Sequence, residues 1–173
     1  MDLKNEIKLA WEACIKEDYE PLRINSERSL QASFWAQLNK RLKPKDDWLM
    51  FIEPGLKVEG HGKCFPDIVI CDTQKAVAVI ELKYQPRKQP DCEKDIGTLD
   101  WINKHRKKLH FKNVRHDKPD MIRKYELSDD LLLVWAGVHL PMTTAFKELL
   151  QQKEWKDSFM SLHENTKKIM KRG

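Results

Sequence analysis

The 173-residue chain fits a single domain, and with 40% hydrophobic and 34% charged residues it reads as a soluble globular protein with its own core. No apolar run approaches the ~18 residues of a membrane span and no signal peptide is visible, so a cytoplasmic protein without a membrane partner is expected. The net charge of +5 is compatible with nucleic acid without demanding it, and Cys14, Cys64, Cys71 and Cys92 lack CxxC spacing, which argues for reduced thiols over zinc.

Leu3, Ile7, Ala10, Trp11 and Cys14 recur at helical spacing and predict a packing helix over residues 2–18, ended by Pro21. A second helix is predicted over 26–42, capped by Asn25 or Ser26, with Leu30, Phe34, Leu38 and Leu42 as its buried stripe. Glu27 continues that stripe one turn earlier. It suits the positive end of the helix dipole, or it points sideways into a site. Strand is expected over residues 48–53 and 56–58, broken by Pro54-Gly55 and followed by a glycine-rich loop, residues 59–63, that holds His61.

Residues 65–71 and 76–84 read as a hairpin closed by a polar turn at 72–75. Residues 76–80 are apolar on both faces, as in a central strand covered by helices, and polar residues begin abruptly at Glu81. Pro86 to Pro90 is a basic loop carrying Arg87 and Lys88. A third helix follows from Asp91 to about Lys108, with Cys92, Ile96, Leu99 and Ile102 inward and Lys94 in its first turns. Lys94, Arg87 and Lys88 are candidates to meet a phosphate backbone. The basic stretch 104–124 is either a nucleic-acid-facing extension or a solvated helix end and loop. The run 131–138 is expected to be a buried strand parallel to 76–84, because a helix crosses between them. Two terminal helices are predicted over 143–152 and 154–171, the last with Trp155, Phe159, Leu162 and Ile169 inward.

Strand alternation puts Glu81 and Lys83 on one face, and pairing of the hairpin brings Asp67 beside them. Charges at the end of an apolar hairpin must be paired or metal-bound. Two carboxylates and an amine suit phosphodiester hydrolysis: Asp67, Glu81 and the backbone carbonyl of Leu82 as ligands for Mg2+, and Lys83 beside them to orient the nucleophile and stabilise developing charge. Acidic neighbours keep Lys83 protonated, a stabiliser more readily than a general base.

Pro66-Asp67 followed by Glu81-Leu82-Lys83 resembles the motif of the PD-(D/E)XK nuclease superfamily, and the order of elements is similar to its αβββαβ core over about residues 26–139 of a single domain spanning 1–173. The resemblance implies a restriction-endonuclease-like α/β fold: a mixed central sheet flanked by helices, with helical additions at both termini. It also implies Mg2+-dependent cleavage of DNA, with Mn2+ able to substitute, by an endonuclease of restriction, repair or recombination type. Asp67 and Glu81 match the metal-binding acids and Lys83 the catalytic lysine. Glu27 is similar in position to an acid on the first core helix of several branches, and Gln85 to a further polar residue of some. A one-domain chain has no separate reading head, so specificity would need a homodimer or a larger complex. The alternative is a module of the same fold that holds nucleic acid or protein without cutting; RNA is a further substrate.

Overall fold

The structure, a computed structural model, describes residues 2–42, 48–58, 60, 62–115, 118–142 and 155–166. The chain starts with helix α1 (Leu3–Cys14), which ends in one π-helical turn, Ile15–Tyr19. Helix α2 (Glu27–Leu42) follows. Ser26 caps it: its hydroxyl accepts from the Ser29 N–H at 3.2 Å, and the Ser29 hydroxyl accepts from the Ser26 N–H at 2.9 Å. This reciprocal pair satisfies two donors and starts the helix one residue before Glu27.

Eight strands among the described residues form one mixed sheet: β1 (Leu49–Ile52), β2 (Leu56–Val58), β3 (Gly62–Cys64), β4 (Ile68–Cys71), β5 (Lys75–Gln85), β6 (His110–Arg115), β7 (Lys118–His139) and β8 (Phe159–Asn165). Helix α3 (Glu93–His105) lies between β5 and β6. The spatial order is β1-β4-β5-β7-β6-β2-β3, with β8 also on β7. The first part of β7 pairs antiparallel with β6; its later part runs parallel to both β5 and β8. The predicted parallel pairing of 76–84 with 131–138 is therefore present, from Ala78↔Leu132 to Gln85↔His139.

Although β1 and β2 lie far apart in this order, only residues 53–55 separate them in the chain. The sheet therefore curls, and the Phe51 ring meets those of Phe111 and Tyr125 at 5.0 and 5.3 Å between centroids. Glu53 makes the sharp exit from β1 with φ of 48°, a left-handed conformation that costs an L-residue about 1 kcal/mol.

Two cores result. Ile7, Trp11, Phe34 and Leu38 of α1 and α2 pack on Ile80, Leu82 and Val134, with Trp11 edge-on to Phe34 at 5.5 Å. On the other face Ile96, Leu99 and Ile102 of α3 pack on Val79, Leu133 and Trp135, inside the curl that brings in Phe111 and Tyr125. Among the described residues no helix is long and apolar enough to cross a membrane.

Three expectations are corrected. Residues 159–165 are strand, not helix: Met160 and Leu162 face the α1–α2 core and Phe159 the α3 core. The i, i+4, i+7 spacing of Trp155, Phe159 and Leu162 mimics a helix, but the hydrogen-bonding edge of buried β7 imposes period two. The predicted helix over 143–152 lies outside the described residues, as do the end of the last helix and His61. The basic stretch 104–124 is neither loop nor helix end beyond His105 and the turn after it, since β6 and the start of β7 form a hairpin there. Gly62 and Lys63 of the predicted glycine-rich loop, with Cys64 after them, form the short strand β3 paired with β2.

Candidate active site

Strand β5 outlasts β4. Their ladder ends at Ile68↔Ile80, and continuing its register sets Pro66 opposite Leu82. Proline has no N–H, so Pro66 cannot donate to the Leu82 carbonyl. The Leu82 N–H instead donates to Asp67 Oδ2 at 2.6 Å. A strand residue directs its N–H and C=O to the same side, so the Leu82 carbonyl opens onto this edge too. One step further the Tyr84 N–H donates to Glu27 Oε2 at 3.2 Å. Carboxylates from the lead-in to β4 and from α2 thus occupy the edge that a longer β4 would fill. The Asp67 carbonyl is held by the Glu53 N–H at 3.1 Å and by Gln31 Nε2 at 3.0 Å, which fixes the lead-in.

On the α3 side of β5, Glu81 is buried and shares a hydrogen bond with Asp67. Burial, then the charges of Asp67 and Asp95, push the Glu81 carboxyl up to about 9, although Lys83 opposes this. Burial likewise raises Asp67 to about 6; the Leu82 N–H counteracts it and the Glu27 charge adds to it. The two carboxyls titrate as a coupled pair that holds a proton more tightly than ordinary carboxyls do. Cys64, at the end of β3, is pushed up to about 12 by burial and by the charge of Glu81.

Lys83 Nζ lies 3.1 Å from Asp95 Oδ2 and 3.4 Å from Oδ1, with side chains only 15% and 9% exposed. Burial pulls the Lys83 ammonium down, but Asp95, by charge and hydrogen bond, then Glu27 and Asp91, outweigh it and hold the ammonium above its ordinary value. Asp95 Oδ2 also accepts from Trp135 Nε1 at 3.3 Å. The indole has room because residue 137 is glycine: a Cβ there would lie 2.5 Å from the ring. Gly137→Ala is expected to displace the indole, loosen Asp95 and lower stability by about 1–3 kcal/mol, read as a drop in Tm with altered Trp fluorescence.

The structure thus gathers Asp67, Glu81 and Lys83, with Glu27 beside them on the β5 edge. Arg87 and Lys88 are exposed in the turn that ends β5, and Lys94 is exposed on the first turn of α3. These three stand on the rim and touch none of the carboxyls in the hydrogen bonds described. Gln85 Oε1 accepts from the Asp91 N–H at 2.7 Å and ties down the loop before α3. Asp95, Trp135 and Gln31 went unassigned to the site in the sequence. Asp95 carried a usable signal: it falls three residues after Cys92 and four before Leu99, an acid inside the buried stripe of its helix.

Among the described residues no three His, Cys, Asp or Glu side chains converge closely enough to hold a metal ion. Glu27 therefore lies next to the Asp67–Glu81 pair without completing a three-carboxylate cage. The donors that remain, the buried Glu81 carboxyl, the half-buried Asp67 carboxyl and the Leu82 carbonyl, are hard oxygens of the kind that Mg2+ and Mn2+ prefer. A pair that must keep a proton to be buried is also one whose proton a cation can replace. Compared with protein-family models, characterised proteins and solved structures, the chain matches none.

Proposed function

We propose that this chain is a divalent-cation-dependent phosphodiesterase acting on DNA, with a PD-(D/E)XK-type core, cutting as an endonuclease. The observation that carries the proposal is the Asp67–Glu81 carboxyl pair, Glu81 buried and Asp67 half-buried with its Oδ2 on the Leu82 N–H, beside the Lys83 ammonium at the open edge of β5. Asp67, Glu81 and the Leu82 carbonyl would hold Mg2+, or Mn2+ in its place. When bound, the cation supplies positive charge for the phosphoryl oxygens and makes water more acidic. The chain's own part is to exclude bulk water from the Asp67–Glu81 pair and to hold Lys83 against Asp95. There its ammonium stabilises negative charge on the phosphate. Its raised pKa makes it a donor rather than a base.

The test is incubation of pure protein with duplex, nicked, branched and single-stranded DNA and with RNA, with Mg2+, with Mn2+ and with EDTA. Cleavage is expected with either cation, and Asp67→Ala and Lys83→Ala should lack it. If every substrate stays intact while some are bound, a second reading stands: a module of the same fold that holds nucleic acid without cutting. One observation favours that reading, the engagement of Lys83 by Asp95 at 3.1 Å. Whether a homodimer supplies specificity is read from the mass of the DNA complex by light scattering.

A further inference from the structure

The outward face of the β3–β2–β6–β7 sheet carries charges that the fold does not need. Cross-strand partners share a face, and the register runs Lys63↔Lys57, Lys57↔His110 and His110↔Glu126 from β3 to β7. Two residues along, Lys112 faces Lys124. Lys57, Lys63, Lys112 and Lys124 are exposed, while Leu56, Val58, Phe111 and Tyr125 between them point into the α3 core. Like charges directly opposite each other destabilise a sheet, yet this face contains two such Lys–Lys pairs. Glu126, the acid in this register, lies 3.0 Å from Lys124 and leaves Lys112, Lys57 and Lys63 uncompensated by it. Lys107 and Lys108 line the same groove from the turn before β6.

We propose that this lysine face is a track for the sugar–phosphate backbone of a nucleic-acid duplex, bound without regard to sequence. The proposal rests on the phosphodiesterase reading for the identity of the anion. Strand spacing of about 4.8 Å and a two-residue repeat of about 6.7 Å set the lysines at separations that can follow successive phosphates. Repulsion between the lysines is relieved when phosphates lie among them and counterions leave the duplex.

Fluorescence anisotropy of a labelled duplex of arbitrary sequence, in EDTA so that no cleavage occurs, tests it. The full chain, a Lys57→Gln/Lys112→Gln/Lys124→Gln variant and a Lys4→Gln/Lys8→Gln/Lys16→Gln control on α1 and the π-helical turn that follows it are compared between about 50 and 200 mM salt. The stripe variant should bind more weakly on every sequence, with its salt slope shallower by about one unit per lysine removed. The control should keep the wild-type slope. Tm of the stripe variant should be unchanged or higher, since opposed like charges are removed, so lost binding cannot be put down to unfolding. Equal slopes for stripe and control variants would overturn the proposal. So would stripe-dependent binding to phosphatidylserine vesicles with none to the duplex. Stripe-dependent binding without cleavage under any metal sinks the phosphodiesterase reading alone; cleavage with stripe-independent binding sinks this inference alone.

Discussion

Replacing Lys83 with alanine is expected to lower kcat for metal-dependent DNA cleavage by about 10²–10³-fold, the usual effect of removing one fixed stabiliser of developing negative charge. The same substitution leaves Asp95 buried beside Trp135 without its cation. Breaking a buried ion pair from one side costs about 3–5 kcal/mol, so a loss of activity alone does not separate lost chemistry from lost structure. A double variant separates the two. Lys83→Ala with Asp95→Asn removes the orphaned charge and leaves an amide oxygen to accept from Trp135 Nε1, so its Tm should recover toward that of the wild type. If Lys83 acts on the phosphate, activity stays low in this stable double variant. If Lys83 serves only to neutralise Asp95, activity returns with Tm, and the catalytic assignment fails.

The sequence showed the parts of this site that alternate on a strand and concealed those that depend on three-dimensional register. Glu81 and Lys83 were legible because the polarity of β5 changes at one residue, and Asp67 because Pro66-Asp67 opens the strand that pairs with it. The reason for proline there needed the ladder: only the register shows that Pro66 would stand opposite Leu82. Asp95 and Trp135 are 40 residues apart and meet because α3 crosses from β5 to β7 over the face that carries Lys83. No local pattern joins them. The same physics explains the fold-level errors. Trp155, Phe159 and Leu162 have helical spacing, and β7 overrides it over residues 159–165 by offering a full edge of backbone donors and acceptors. The basic stretch beyond α3 was legible as charge only. Its Lys112–Lys124 cross-strand pair appears once β6 is set against β7, as Lys57–Lys63 does once β2 is set against β3.

Without divalent cation, stability should fall as pH rises from about 5 to 9, the reverse of what ordinary carboxylates produce. Both Asp67 and Glu81 have raised pKa values in the fold, to about 6 and about 9, so the folded chain binds protons that the unfolded chain has released. Their contribution is fully present below the unfolded carboxyl range near 4 and is lost as pH passes first the Asp67 value and then the Glu81 value. Each proton held only by the folded state tilts stability by about 1.4 kcal/mol per pH unit, or roughly 3 °C in Tm for a chain of this size. Glu81→Gln should flatten that decline above pH 6, because a neutral amide replaces the carboxyl that would otherwise ionise. Added Mg2+ or Mn2+ should act in the opposite direction. Binding displaces the Glu81 proton, so the gain in Tm grows with pH, and at 100 times Kd it is worth about 2.7 kcal/mol. Thermal melts at several pH values, with EDTA and with excess cation, measure all of this without any substrate. A cation-induced rise in Tm that is equally large at pH 5 and pH 8, or that survives Glu81→Gln with Asp67→Asn, would place the ion elsewhere and detach the carboxyl pair from metal chemistry.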